Sequence, residues 1–99
     1  MEFSFLISEA AFNDIREAGK WYEKHRLGLS LDFELCLEGG FDDIRNNPIA
    51  VQVKYQNVRV KYIRRFPFGI HYIIDKDTIY ILAIFHTSKN PKKWVKRLK

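Results

Sequence analysis

The sequence has one cysteine, Cys36, among 99 residues. A disulfide framework is excluded, as is a thiolate metal cluster, and a reducing cytoplasm suits such a chain. Long hydrophobic runs are missing too. The longest, residues 79–85 (IYILAIF), is far too short to cross a bilayer as a helix, and no basic stretch followed by a long apolar run marks a signal peptide at the N-terminus. Glycine (5) and proline (3) are scarce, so neither a linker nor a low-complexity tract divides the chain. The expectation is a single domain over residues 1–99. GxGxxG, P-loop and HExxH patterns do not occur. The three histidines, His25, His71 and His86, are too scattered for a zinc site. Neither a metal nor a cofactor is expected.

Acid is what the second half lacks. Residues 1–50 carry ten acids and five bases; residues 51–99 carry two acids, Asp75 and Asp77, against twelve bases. The net charge of +5 therefore conceals a −5 half and a +10 half. A fold with this split has a basic side, which suits nucleic acid, the ribosome or an acidic protein.

What the chain does have is pattern. Residues 2–8 (EFSFLIS) read as a strand with Phe3, Phe5 and Ile7 on one face. Ser8 can cap the helix that follows, in which Phe12, Ile15, Gly19 and Tyr22 align and Ala11, Ala18 and Trp21 flank them. Acids lie early in this helix and Lys20, Lys24, His25 and Arg26 late, which suits its dipole. Ser30 can cap a second helix with Phe33, Leu37, Gly40 or Phe41, and Ile44 inward, ending at the Asn-Asn-Pro of residues 46–48. Gly39–Gly40 inside it suggests close approach of the first helix, or a kink.

Residues 49–57 read as loop or short strand. Val58, Val60 and Tyr62 then alternate with Arg59, Lys61, Ile63 and Arg65. Pro67 and Gly69 mark a turn. Two more strands, residues 70–75 and 78–86, are joined at Lys76–Asp77. The last is apolar on both faces and should be central. A two-residue turn puts Ile74 with Ile79, and His71 with His86 on the opposite face. Asn90 and Pro91 suit the start of a short final helix. The fold class is α+β: β-α-α-β-β-β in two layers, a helix hairpin on a mainly antiparallel sheet, with a short C-terminal helical tail.

The candidate site is cationic. Arg59, Lys61, Arg64, Arg65, Lys89, Lys92, Lys93, Lys96 and Arg97 could edge one face and neutralise phosphates. Trp94 and Tyr80 could stack on bases or on a protein partner, or Trp94 could pin the tail to the sheet. Metal-free RNA cleavage needs an acid, a base and a cation. His86 could supply proton transfer, since a histidine titrates near neutrality, and Arg65 the cation. The alternative for His86 is a strand-end histidine bonded to backbone. Cys36, on an apolar helix stripe, reads as core.

The segments WYE (21–23), NNP (46–48), RRFPFGIHYII (64–74) and ILAIFHTSKNPKKW (81–94) resemble the RelE/ParE toxin superfamily of bacterial type II toxin–antitoxin modules, and most closely its ParE-like, plasmid-stabilisation branch. The resemblance covers nearly the whole chain. It implies a cytoplasmic toxin with no membrane partner, neutralised by a cognate antitoxin from an adjacent gene, in a possible heterotetramer. Two targets follow from it. A ParE-like toxin acts on DNA gyrase without hydrolysis, whereas a RelE-like one cuts mRNA on the ribosome. In the latter case Arg65 and His86 are the catalytic candidates. The tail lacks the terminal Tyr of the RelE pattern, and the early strands offer only Lys54 and Lys61, which favours the ParE-like reading. An inactive relative acting as a binding module is the remaining alternative. The residues expected to contact target or antitoxin are Arg59, Lys61, Arg64, Lys89, Lys92, Lys93, Trp94 and Arg97.

Overall fold

A computed structural model describes residues 3–98. Strand β1 (Ser4–Ile7) leads into α1 (Glu9–His25) and α2 (Leu29–Asn46), then β2 (Val53–Tyr55), β3 (Val58–Tyr62), β4 (Phe68–Asp75), β5 (Thr78–His86) and α3 (Pro91–Arg97). The sheet order is β1-β5-β4-β3-β2. Only β1 runs parallel to its neighbour, β5; every other pair is antiparallel. The ambiguous stretch before β3 contains a three-residue strand, β2.

Local chemistry explains the helix boundaries. Ser8 caps α1 by accepting a hydrogen bond from the Ala11 amide. Asn90 caps α3 in the same manner, with Pro91 behind it. Ser30 does not cap α2. The cap is Gly28 in a left-handed conformation (φ 88°), which lets the helix start at Leu29. Glu23 reaches across from α1 to accept from the Gly28 and Ser30 amides and from the Ser30 hydroxyl. Those bonds hold the Glu23 carboxyl below its ordinary pKa.

The hairpin buries Ala11, Ala18, Tyr22, Phe33, Leu37, Phe41 and Ile44 against Ile63, Phe66, Ile70, Tyr72, Ile79, Ile81 and Ile84 of the sheet and its turn. Phe12 and Trp21 point outward instead of joining this core. The two adjacent glycines have different surroundings. A Cβ on Gly40 would sit 2.7 Å from Ile70 Cδ1 and 3.1 Å from Ile63 Cγ2, so this glycine seats α2 on the sheet, not on α1. A Cβ on Gly39 would meet nothing within 4 Å.

The second face of the sheet is covered in part. Val58, Val60, His71, Ala83 and Phe85 are buried there, outside the hairpin core. Trp94 of α3 packs on His71 and Tyr55, with ring centroids 4.9 and 5.5 Å apart. The tail thus adds a partial third layer to the expected two.

One irregularity changes which side chains share a face. Asp75 pairs with Thr78 and Ile74 with Ile79, as the two-residue turn requires. Then Tyr72 pairs with Ile81 while His71 pairs with Ala83. Leu82 is the extra residue of a β-bulge, and it reverses the alternation beyond it. His71 and His86 therefore lie on opposite faces. His71 faces α3, whereas His86, opposite Phe68, lies on the hairpin side.

Candidate functional site

The basic half of the chain does not form one face. Strand alternation and the bulge divide its cations into two groups.

The first group borders a groove of about 390 Å³ between α2 and the edge of β3. Lys61 lies 3.3 Å from Asp43 of α2. Arg65 occupies a left-handed backbone conformation (φ 69°) in the β3–β4 turn. Its guanidinium is 3.6 Å from Asp32, which also faces Arg26 at 3.5 Å. Arg64 lines the same groove, is exposed, and has no ion pair among the described residues. Arg59 is engaged elsewhere. Its guanidinium donates to the carbonyls of Val51 and Ile49, holding the chain that enters β2.

The second group surrounds Phe85 on the α3 side. Lys89 Nζ and the Arg97 guanidinium each lie 4.7 Å from the Phe85 ring centre. Lys93 and Lys96 border the same shallow depression, and Lys92 is exposed beside them. A second aromatic position continues the row. Tyr62 pairs with Gly69, which pairs with Phe85, and Lys54 Nζ stands 5.5 Å from the half-exposed Tyr62 ring. Gly69 is small because the Tyr62 ring and Val60 occupy the space a Cβ would need. The sequence pattern marks Tyr62 only as a strand residue and Gly69 only as part of a turn, neither as part of the site. The Tyr62–Gly69 pairing is a cross-strand relation, visible only once register is known.

Arg97 works inside the fold. It makes two bonds to Asp14, at 3.0 and 3.1 Å, and donates to the Leu82 carbonyl at 3.1 Å. Asp14 in turn accepts from the Ile84 amide at 3.0 Å, and the Ser8 hydroxyl donates to Leu82 O. The bulge frees a carbonyl that α3 and the β1–α1 junction share, and α1 joins them through the bonds of Asp14 to Arg97 and the Ile84 amide. Asp14 had no signal of its own in the sequence. Trp94 is held against the sheet with its indole nitrogen buried and without a partner among the described residues.

Beneath α3, His71 is 1% exposed, and its Nδ1 is 3.0 Å from the Tyr55 hydroxyl. Burial first, and then the charge of Arg97, push its pKa down to about 4; Asp14 opposes them, and Lys54 adds the smallest downward push. It is neutral at pH 7. Burial also raises the pKa of Tyr55.

The two catalytic candidates do not meet. Arg65 lines the α2–β3 groove. His86 lines a different groove of about 710 Å³, bordered by Trp21, Tyr22, Pro67, Phe68 and Phe85. His86 Nδ1 accepts from the Ser88 amide at 3.0 Å, with the Ser88 hydroxyl at 2.7 Å. A neutral ring bonded in this manner carries its proton on Nε2. It can donate there but has no free nitrogen to act as base. Among the described residues no group of three or more His, Cys, Asp or Glu side chains is placed to hold a metal ion. Cys36 is half-buried against the hairpin core.

Comparison with known proteins agrees with this architecture. The family described as "ParE toxin of type II toxin-antitoxin system, parDE" matches residues 5–91. The solved structure titled "Chromosomal ParDE TA system from P. aeruginosa" superposes with a TM-score of 0.77 at 18% identity, over 86% of this chain and 96% of that one. No curated protein matches the sequence. Since the family match spans most of the chain, from β1 to the start of α3, this protein belongs to the ParE toxins of type II toxin–antitoxin systems.

Proposed function

We propose that this ParE-type toxin acts on DNA gyrase by binding, without hydrolysing a substrate, and that an antitoxin from an adjacent gene neutralises it. The observation that carries the non-hydrolytic reading is the separation of Arg65 from His86. Each lines its own groove, Arg65 is paired with Asp32, and the Nδ1 of His86 is taken by Ser88. Cleavage of RNA requires a base and a cation converging on one phosphate. A toxin that works by occupancy needs only a surface, and the lysines around Phe85 with the Tyr62–Lys54 pair offer one. The chain acts as a single domain over residues 1–99, in the cytoplasm. It forms a heterotetramer with its antitoxin and serves plasmid stabilisation. No helix among the described residues is long and apolar enough to cross a membrane.

The test is pulse labelling after induced expression in bacteria, following thymidine and methionine incorporation together. Thymidine incorporation is expected to fall first while translation continues. If methionine incorporation falls first, the toxin acts on translation and the RelE-like reading replaces this one.

A further inference from the structure

One outer edge of the sheet carries no charge. Among the described residues β1 pairs with β5 alone. The Ser4 amide donates to Asp77 O and the Ser8 amide to Ile81 O. Alternation therefore turns the amides and carbonyls of Phe5 and Ile7 away from β5, and no group among the described residues bonds to those two amides. The strand reads Ser-Phe-Leu-Ile in unbroken register with β5. It holds none of the charges, prolines or bulges with which edge strands refuse another strand. The nearest cation, the Arg45 guanidinium 4.1 Å from the Phe5 ring centre, is paired with Glu38 and Asp42.

An apolar row leads to this edge. Phe5 and Ile7 pack on the hairpin core, so Leu6 points to the other face of the sheet. On that face Ile73 pairs with Tyr80, and Tyr80 with Leu6. Ile73, Tyr80 and Leu82, all half-buried, line a shallow depression of about 580 Å³. Leu6 borders it and is 54% exposed. The tail helix covers this face only over Tyr55, His71 and Phe85. The row therefore ends at β1 with a leucine in water.

We propose that two copies of this chain pair through β1, antiparallel about a two-fold axis at Leu6, so that their sheets become one. Phe5 of each copy exchanges both main-chain bonds with Ile7 of the other. Leu6 meets Leu6 of the second copy as the close, non-hydrogen-bonded pair, with Cα atoms about 4.5 Å apart. The row Ile73–Tyr80–Leu6 then runs on into Leu6–Tyr80–Ile73 of the second copy. The absence of charge selects this occupant. About a two-fold axis every side chain near the centre faces its own kind, so a charged strand would repel its copy and an apolar one does not. A register centred on Phe5 would set each Leu6 against the exposed Ser4 and break the row.

The experiment is sedimentation velocity of the purified full chain over a range of concentrations, with two variants. The parent chain is expected to dimerise, and Leu6→Glu to weaken the dimer at least tenfold by setting two carboxylates against each other at the axis. Leu6→Cys is expected to form a disulfide-linked dimer on mild oxidation, whereas Ser4→Cys and the parent, which keep the same Cys36, do not. In the isotope-labelled parent, hydrogen exchange at the Phe5 and Ile7 amides is expected to slow at least tenfold as the dimer forms, and exchange at Ser8, already bonded to Ile81 O, to change less. A parent chain that stays monomeric overturns the proposal. So does a dimer that Leu6→Glu leaves intact, since its interface then lies elsewhere. Should Leu6→Glu fail to fold, the Leu6→Cys result decides: no cross-link in a dimeric sample overturns the register and the axis at Leu6.

Discussion

At two places in the sheet where one strand outruns its neighbour, the protein finishes the ladder differently. At β5, pairing with β1 stops at Ile81, and side chains complete the edge. Ser8 bonds to the Ile81 and Leu82 carbonyls, Asp14 takes the Ile84 amide, and Arg97 takes Leu82 O while binding Asp14. At β3, pairing with β2 stops at Arg59, and nothing among the described residues completes the edge. The lesson is about division of labour. The β5 edge is closed because it joins α1, β1 and α3 into one body. The β3 edge has no such joint to make and remains available to a partner.

The largest expected effect comes from opening the closed edge. Asp14→Ala leaves the Arg97 guanidinium and the Ile84 amide without their shared acceptor. The Asp14 and Arg97 side chains are only 18% and 27% exposed, so the loss is about 3 kcal/mol. A shift in the urea midpoint at constant slope measures it. A loss below about 0.5 kcal/mol, the ordinary surface value, would show that α3 docks without this joint.

Acid tests the same region more gently. The His71 pKa is lowered to about 4 in the fold, against 6.5 when unfolded. Below pH 6.5 the unfolded chain therefore binds a proton that the folded one refuses. Stability is complete above pH 6.5 and falls as pH drops towards 4, by about 2 to 3 kcal/mol at pH 4.5 from this group. Urea midpoints measured between pH 7.5 and 4.5 give the slope. His71→Phe should remove that contribution, and a slope that persists would place its source in other groups.

These regions also mark the limit of what the sequence discloses. Element order was legible because periodicities of 3.6 and 2 survive in α1, α2 and β3. Phe33, Leu37, Phe41 and Ile44 fall inward as their spacing demands. The bulge was not legible. Residues 79–85 are apolar without interruption, so no polar residue marks the slip at Leu82, and the face of every residue beyond it is inverted. For that reason His71 and His86 were paired on one face by counting. The cation cluster failed for a related reason. Charge counting ignores side-chain direction, and alternation sends Arg59 and Lys61 to the hairpin side while α3 carries its lysines to the other. Asp14 was invisible as a site residue because its partner Arg97 is 83 residues away. The family segments were legible in advance, since RRFPFG and HTSKNPKKW are local strings around turns.

The groove beside the open edge is sharpened by its two glycines. Gly40→Ala places a methyl 2.7 Å from Ile70 Cδ1, and the repacking costs about 1 to 2 kcal/mol. Gly39→Ala meets nothing and removes backbone freedom from a helix interior, for a gain of up to about 1 kcal/mol. Thermal unfolding of the pair should give opposite signs. The same sign in both would mean that α2 shifts on the sheet and that the groove floor is not fixed by Gly40.

Arg65→Ala should change stability least, and its value lies in that. Its ion pair with Asp32 is 59% and 36% exposed and competes with Arg26, so removal costs at most about 0.5 kcal/mol. Alanine keeps the same left-handed backbone requirement, so no strain is released by this change. Arg65→Gly, in contrast, relieves that conformation and should gain about 1 kcal/mol. If both variants retain the thermal stability these values imply while growth arrest on induction is lost, Arg65 serves contact with the toxin's target and not the fold. If Arg65→Ala instead unfolds several degrees earlier, the Arg26–Asp32–Arg65 cluster is a joint like that of Asp14 and Arg97. The contrast between a closed edge and an open one would then fail at its nearest neighbour.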